Sequence, residues 1–192
     1  MIASDPKHYG GGLTGDASDK LVRFVDLCDQ FRLPVVNFVD QPGFVIGVEA
    51  EKAGTIRHGT RALAAVYQAT VPWVSIIVRK VFGVAGAAHG NASQLNLRYA
   101  WPSGDWGSLP LEGGIEAAYR RVLEEADDPA AKKQEILESL EGMRSPFRTA
   151  ESFGIEEIID PRDTRRLLCE WAVEAYRIVP TMTGPSTHPI RP

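Results

Sequence analysis

Pro34-Val35-Val36-Asn37-Phe38-Val39 is a short, continuous, β-branched run that stops at Asp40-Gln41-Pro42-Gly43-Phe44, where proline and glycine punctuate the chain. A run without polar alternation is what a strand buried on both faces of a parallel sheet requires. A helical pattern follows from about Ile56 to Gln68, through Leu63, Ala64 and Val66, and then a second buried run, Val74-Ser75-Ile76-Ile77-Val78. Strand, helix, strand is the βαβ unit, so an α/β fold with helices layered on a parallel sheet is predicted.

Upstream, Leu21, Phe24, Val25 and Cys28 recur at the spacing of one helix face, predicting a helix over Ala17 to Phe31 capped by Asp16 or Ser18. Residues 1–15, with Gly10, Gly11, Gly12 and Gly15, read as a loop beside a ligand or an interface. Downstream, Leu95 to Trp101 forms a third strand stopped by Pro102. Gly113 to Ala126 and Ala130 to Leu140 are helical and charged, Pro129 opens the second of them, and the two are expected to pack as a hairpin. Residues 153–160 form an apolar segment ending at Pro161, and Asp163 to Val179 is a further amphipathic helix. The chain divides into one domain over residues 1–180 and an extended, proline-rich tail over 181–192.

At 192 residues, 44% hydrophobic and 24% charged, the chain can bury one substantial core and has neither a disordered nor a membrane composition. A net charge of −4 with scattered Lys and Arg argues against a nucleic-acid surface. No segment approaches the ~20 apolar residues that span a bilayer, and Met1 to Pro6 lack signal-peptide character, so a cytoplasmic protein is expected. Cys28 and Cys169 both sit in apolar helical patterns and read as small buried thiols in a reducing compartment. No His and carboxylate group has metal spacing, and no Gly-x-Ser-x-Gly or Cys/His pair marks a covalent nucleophile, so metal-free, noncovalent chemistry is expected.

Two glycine-containing turns follow strands, Asp40 to Phe44 and Gly83-Val84-Ala85-Gly86. In a layered α/β fold ligands sit beyond the strand ends, and small residues there let adjacent backbone N–H groups hold a developing oxyanion. That arrangement suits enolate chemistry.

The blocks Phe38 to Phe44, Gly47, Ile56-Arg57-His58-Gly59, Ala69-Thr70-Val71-Pro72, Arg79-Lys80 with Phe82-Gly83, and Ala100-Trp101-Pro102 occur in fixed order. They extend upstream to Asp5 through Gly11, Asp19-Lys20 and Arg23-Phe24, and downstream to Pro146-Phe147, Ile158-Ile159-Asp160-Pro161 and Thr164-Arg165. In this order and spacing the chain resembles the carboxyltransferase β-subunits of biotin-dependent acyl-CoA carboxylases, a family that includes propionyl-CoA carboxylase. Specifically it resembles their C-terminal half.

The resemblance implies a crotonase (ClpP)-like fold of stacked strands and helices with C-terminal helices. It implies carboxyl transfer from carboxybiotin, carried on a partner protein, to an acyl-CoA through enolate intermediates. The expected partners are a biotin carboxylase, a biotin carrier and an N-terminal carboxyltransferase half that completes the site, in a homo- or hetero-oligomer. The family's oxyanion turn, Gly-Gly-Ala, maps onto Gly83-Val84-Ala85, with Val84 in place of the second glycine and Gly86 next to it. Valine is restricted at angles glycine reaches freely, so an obstructed turn, or a slip to Ala85 and Gly86, is expected there. Pro42, Gly43, Phe44, His58 and Gly59 complete the biotin-side set, to which His89 is added for its position just past the turn. On its own, His58 reads as a helix-surface residue. Where the family has an aromatic and then an acidic residue, this chain has Gly86 and Ala87, and Leu109-Pro110-Leu111 replaces a hydrophobic-Met-Gly run. These departures leave the acyl group open and keep two alternatives: a decarboxylase of the same family, and a noncatalytic assembly subunit.

Overall fold

A computed structural model describes residues 1–87, 95–107, 111–141, 144–182 and 184. Its strands are β1 (Ile2–Ala3), β2 (Val35–Gln41), β3 (Trp73–Phe82), β4 (Asn96–Ala100), β5 (Asp105–Gly107) and β6 (Glu157–Ile158). The helices are α1 (Gly15–Gln30), α2 (Val48–Lys52), α3 (Thr55–Gln68), α4 (Gly83–Ala87), α5 (Leu111–Ala118), α6 (Arg120–Glu124), α7 (Pro129–Glu141), α8 (Pro146–Glu151) and α9 (Thr164–Ile178). One sheet runs β1-β2-β3-β4-β6, with β5 added alongside the last residues of β3, and all these pairings are parallel.

The alternation of β3 sends its side chains into two cores. Trp73 faces one, built with Val25 and Cys28 of α1, Ala65 and Val66 of α3, and Val35 of β2. Val74 and Ile76 face the other, closed by Ile159 and by Trp171 and Ala175 of α9. Both faces of the central strand are therefore covered, which is why its sequence is a continuous apolar run. Two of the indole N–H groups inside are answered locally, that of Trp73 donating to Ser75 Oγ at 3.0 Å and that of Trp101 to Thr164 Oγ1 at 3.0 Å, whereas the buried Trp171 N–H has no partner among the described residues. The α1–α3 layer is tied at one end by Asp29, whose Oδ1 accepts from the Thr70 N–H at 2.5 Å and the Thr70 hydroxyl at 2.8 Å.

Several expectations shift. The cap of α1 is Thr14, whose hydroxyl accepts from Ala17 N at 3.1 Å, because the helix already starts at Gly15 and leaves Asp16 and Ser18 inside it. Ile2 and Ala3, read as loop, pair with Asn37 and Phe38 at the sheet edge. β3 runs on through Arg79-Lys80-Val81-Phe82, four residues past its apolar run, and β5 pairs with that extension. The helical stretch before residue 126 starts at Leu111 and is interrupted at Tyr119, giving α5 and α6, which pack with α7 as the expected hairpin. Of the apolar segment 153–160 only Glu157–Ile158 joins the sheet, while Ile155 and Ile159 turn inward as core residues. Cys28 is buried, but Cys169 is exposed, since α9 gives the sheet Trp171 and Ala175 instead. Apart from 181, 182 and 184, the tail lies outside the described residues. Among the described residues no helix is long and apolar enough to cross a membrane.

Gly59 shows how tightly α3 meets the turn after β2. A Cβ added there would stand 2.2 Å from Cε1 of Phe44, so the ring occupies the space a side chain would need. Gly59→Val is expected to lower stability by about 2–3 kcal/mol through overpacking, read as a shift in urea midpoint. Phe44→Leu in the same chain should recover part of that loss.

Candidate active site

The two turns singled out in the sequence leave the same end of adjacent parallel strands. Up to Val39 opposite Ile77, β2 and β3 keep one register; the next pair is Gln41 opposite Val81, so Asp40 alone faces residues 78–80. β3 bulges there. The Asp40 carboxylate fills the bulge: Arg79 Nε donates to both oxygens at 3.1 Å, Arg79 Nη2 donates to Oδ2 at 2.9 Å, and the Lys80 N–H donates to Oδ1 at 3.2 Å. Asp40 is 9% exposed, whereas the Arg79 side chain is 48% exposed and keeps contact with water. The bulge re-aims Val81 and Phe82, and with them the start of α4.

Beside it, Pro42-Gly43-Phe44 is fixed on three sides. The Gly43 N–H donates to Gln41 Oε1 at 3.1 Å, Gly43 O accepts from Leu13 N at 2.9 Å, and Val45 N donates to Leu13 O at 3.0 Å. Gly43 has φ 121°, and a Cβ on it would lie 3.9 Å from Phe82 O, so the two turns are neighbours in space. Gly11, at φ 93°, lies against Asp40; a Cβ there would come within 2.7 Å of its carbonyl oxygen. The glycine-rich N-terminal stretch is thus the wall behind this turn.

Gly83-Val84-Ala85-Gly86 is the opening of α4, directly after β3, rather than an open turn. The left-handed angle falls on Gly83, φ 61°, and Val84 has no positive φ. Glycine is kept where the backbone demands it, so the expected conflict at Val84 does not arise. The Val84 side chain is 61% exposed and points outward, while Ala85 and Gly86 are buried. Gly86 is required by packing, since a Cβ on it would sit 2.8 Å from the Val81 carbonyl carbon. First-turn N–H groups have no carbonyl four residues back within their helix, so those of Val84 and Ala85 are donors without an intrahelical partner.

The structure thus brings Pro42, Gly43 and Phe44 together with Gly83 to Gly86. Gly59 seats the Phe44 ring. His58 stands one residue earlier on α3, its Nδ1 2.8 Å from Asp19 Oδ1 of α1 and its ring against Gly15. The hydrogen bond from His58 holds the Asp19 carboxyl below its usual 3.8. His89 lies outside the described residues, as do Leu109 and Pro110. Among the described residues no three His, Cys, Asp or Glu side chains converge as a metal site would need. Sequence reading missed the Asp40–Arg79–Lys80 clamp, because the pair Arg79-Lys80 looked like the end of a strand rather than a bulge within it.

The sequence pattern of the carboxyl transferase domain family matches residues 1–177. Over 172 residues the chain is 38% identical to the propionyl-CoA carboxylase carboxyltransferase subunit of Haloferax mediterranei, covering 88% of this chain and 33% of that protein. It is 37% identical over 178 residues to the methylmalonyl-CoA carboxyltransferase 12S subunit of Propionibacterium freudenreichii subsp. shermanii, 92% of this chain and 34% of the relative. With the methylmalonyl-CoA decarboxylase subunit alpha of Propionigenium modestum it shares 34% over 172 residues, 88% of this chain and 33% of that one. The solved structure of the transcarboxylase 12S hexamer core, with methylmalonyl-coenzyme A bound, superposes with a TM-score of 0.77 at 34% identity, covering 99% of this chain and 36% of that one. The chain spans about a third of the length of the relatives it matches.

Two outcomes follow from the geometry. Asp40→Ala should cost about 1–3 kcal/mol in chemical denaturation by stranding the Lys80 N–H, and Arg79→Ala at least as much, because it leaves a nearly buried carboxylate without its cation while the Arg79 side chain is half in water. A carboxyl whose folded pKa is lowered adds stability above its unfolded pKa and loses it as pH falls through the folded value. The Asp19–His58 contribution should therefore be present above pH 3.8 and fade as pH falls further, through the lowered folded value, and the melting temperatures of wild type and Asp19→Asn should draw together over that acid range.

Proposed function

The chain belongs to the carboxyl transferase domain family, and from that premise we propose that it is the biotin-side half of a carboxyltransferase. With an N-terminal half or partner chain, it moves a carboxyl group between carboxybiotin on a carrier protein and an acyl-CoA. The observation that carries this reading is the start of α4, where Gly83 takes the left-handed angle, the Val84 side chain turns outward and the turn lies beside Gly43.

Carboxybiotin supplies the carboxyl group as a carbamate of its ureido ring. The chemistry asks the protein for donors aimed at an oxygen that gains negative charge, held in place before the reaction begins. The N–H groups of Val84 and Ala85 fit that role, with Gly86 packing α4 onto β3 so that they cannot drift. Pro42, Gly43 and Phe44 form the facing wall, the Phe44 ring is fixed by Gly59, and His58 is held by Asp19 at the back of α3. Pro42 to Phe44 and Gly83 to Gly86 carry no proton-accepting side chain, and the Asp40 carboxylate is committed to Arg79 and Lys80, so the residues bind and orient while the reacting groups exchange protons among themselves. In this reading residues 1–180 are the working domain and 181–192 an appended tail.

The need for a second half is supported by the rim of the site. Tyr9, Ile46 and Val48, each at least 70% exposed, line one open cleft together with His58, an apolar surface that a facing domain would cover. Decarboxylation is the second reading, favoured by the decarboxylase alpha subunit among the relatives. It calls on the same donors in the opposite direction.

The test is reconstitution. Mixed with an N-terminal carboxyltransferase half and a carboxylated biotin carrier, the chain should support acyl-CoA-dependent loss of the carrier's carboxyl group. Gly83→Ala should cut the rate about 100-fold, whereas Val84→Gly should leave it within a few-fold. Carboxyl appearing in acyl-CoA supports transfer. In a second mixture started from a carboxylated acyl-CoA and uncarboxylated carrier, net loss of carboxyl from the acyl-CoA onto the carrier, with no transfer in the first mixture, supports the decarboxylase direction. Failure of the chain to bind the carrier in any such mixture would overturn both.

A further inference from the structure

A cavity of about 280 Å³ opens on the other side of β2, between the N-terminal segment, α1 and the sheet. Its inner wall is made by Val66 and Trp73, 0% and 1% exposed, with Leu13 and Leu21 beside them. Into this apolar space comes the side chain of Gln41, itself 3% exposed. Gln41 Oε1 accepts from Gly43 N, but its Nε2 donates to no described residue. The amide nitrogen is not sealed in the core but faces the cavity, so its two N–H groups are offered to whatever occupies that space. At the outer end stand Lys20 and His8, both exposed, and Lys20 has no ion pair among the described residues. Asp5 also lines this end, where its Oδ1 is occupied by the Lys7 N–H at 2.9 Å. The indole N–H of Trp73 is spent on Ser75, so Gln41 is the free polar handle of the inner wall.

From this arrangement we infer that the cavity binds a small oxo-carboxylate with a short hydrocarbon chain. The carboxylate lies at the outer end against Lys20, the chain lies over Leu13, Leu21 and Val66, and the oxo oxygen accepts from Gln41 Nε2. The volume falls just below the usual range for drug-sized ligands, which selects a compact acid over a nucleotide-bearing one. Because Gln41 Oε1 also holds the Gly43 N–H, an occupant here is one side chain away from the turn of the candidate active site. Binding is read on this chain alone, whereas carboxyl transfer needs a second half, so the two readings fail separately.

The experiment is calorimetric titration of the full chain with levulinate, with valerate as the acid lacking the oxo group and methyl propyl ketone as the compound lacking the carboxylate. Levulinate is expected to bind about tenfold more tightly than valerate, the worth of one hydrogen bond from a buried donor. Lys20→Met should weaken levulinate about tenfold and leave the ketone unchanged. Ala17→Leu, which fills the cavity from α1, should abolish binding of all three while thermal melts of both variants confirm folding. No binding of levulinate, equal binding of levulinate and valerate, or levulinate binding untouched by Lys20→Met would each overturn the inference.

Discussion

The carboxylate of Asp40 sits where the sheet stops being regular, and much of the site's shape follows from how it is satisfied. Two strands in uniform register would send their following turns apart at the spacing the sheet dictates. Here β3 spends extra residues opposite Asp40, and a bulge of that kind leaves a backbone N–H without a partner on the neighbouring strand. The carboxylate takes that N–H from Lys80 and the Arg79 guanidinium in one fork. A bidentate guanidinium gives direction as well as attraction. The bulge is therefore a fixed bend, and α4 starts from a defined place beside Gly43.

Much of this was legible in the sequence for a physical reason. A strand covered on both faces must be apolar throughout, and Val35 to Val39 and Val74 to Ile77 announce themselves that way. The family blocks marked the two turns and most of the residues around them. What composition and periodicity could not display is anything that depends on two distant segments meeting. The clamp joins residues 39 apart in sequence, and Arg79-Lys80 inside a strand contradicts the ordinary expectation that a charged pair ends one. Cys169 misled for the opposite reason, since an apolar helical pattern shows that a face is buried but not which neighbour at its border is left outside.

The glycines divide into roles that the letter alone does not separate. Gly83 and Gly43 are there for backbone angle, Gly59 and Gly86 for room, and Gly11 for both. This division explains how a valine can stand at 84 in a turn that resembles a double-glycine motif. The angle belongs to the first position, and the second is free to carry a side chain as long as that side chain faces outward.

The parallel pairing throughout the sheet also governs how the chain comes together. Parallel neighbours cannot be joined by a tight hairpin; each pairing waits for an intervening crossover to close. From Val35 to its partner Trp73, and from Tyr99 to Glu157, the contacts bridge long stretches of chain, the pattern of slow-folding topologies. Until β3 docks, β2 offers an open apolar edge to any other chain in the same condition. The hazard this topology carries is therefore self-association of half-built sheets, and the Asp40 fork, which spans β2 and β3 once they are paired, helps to hold that edge closed.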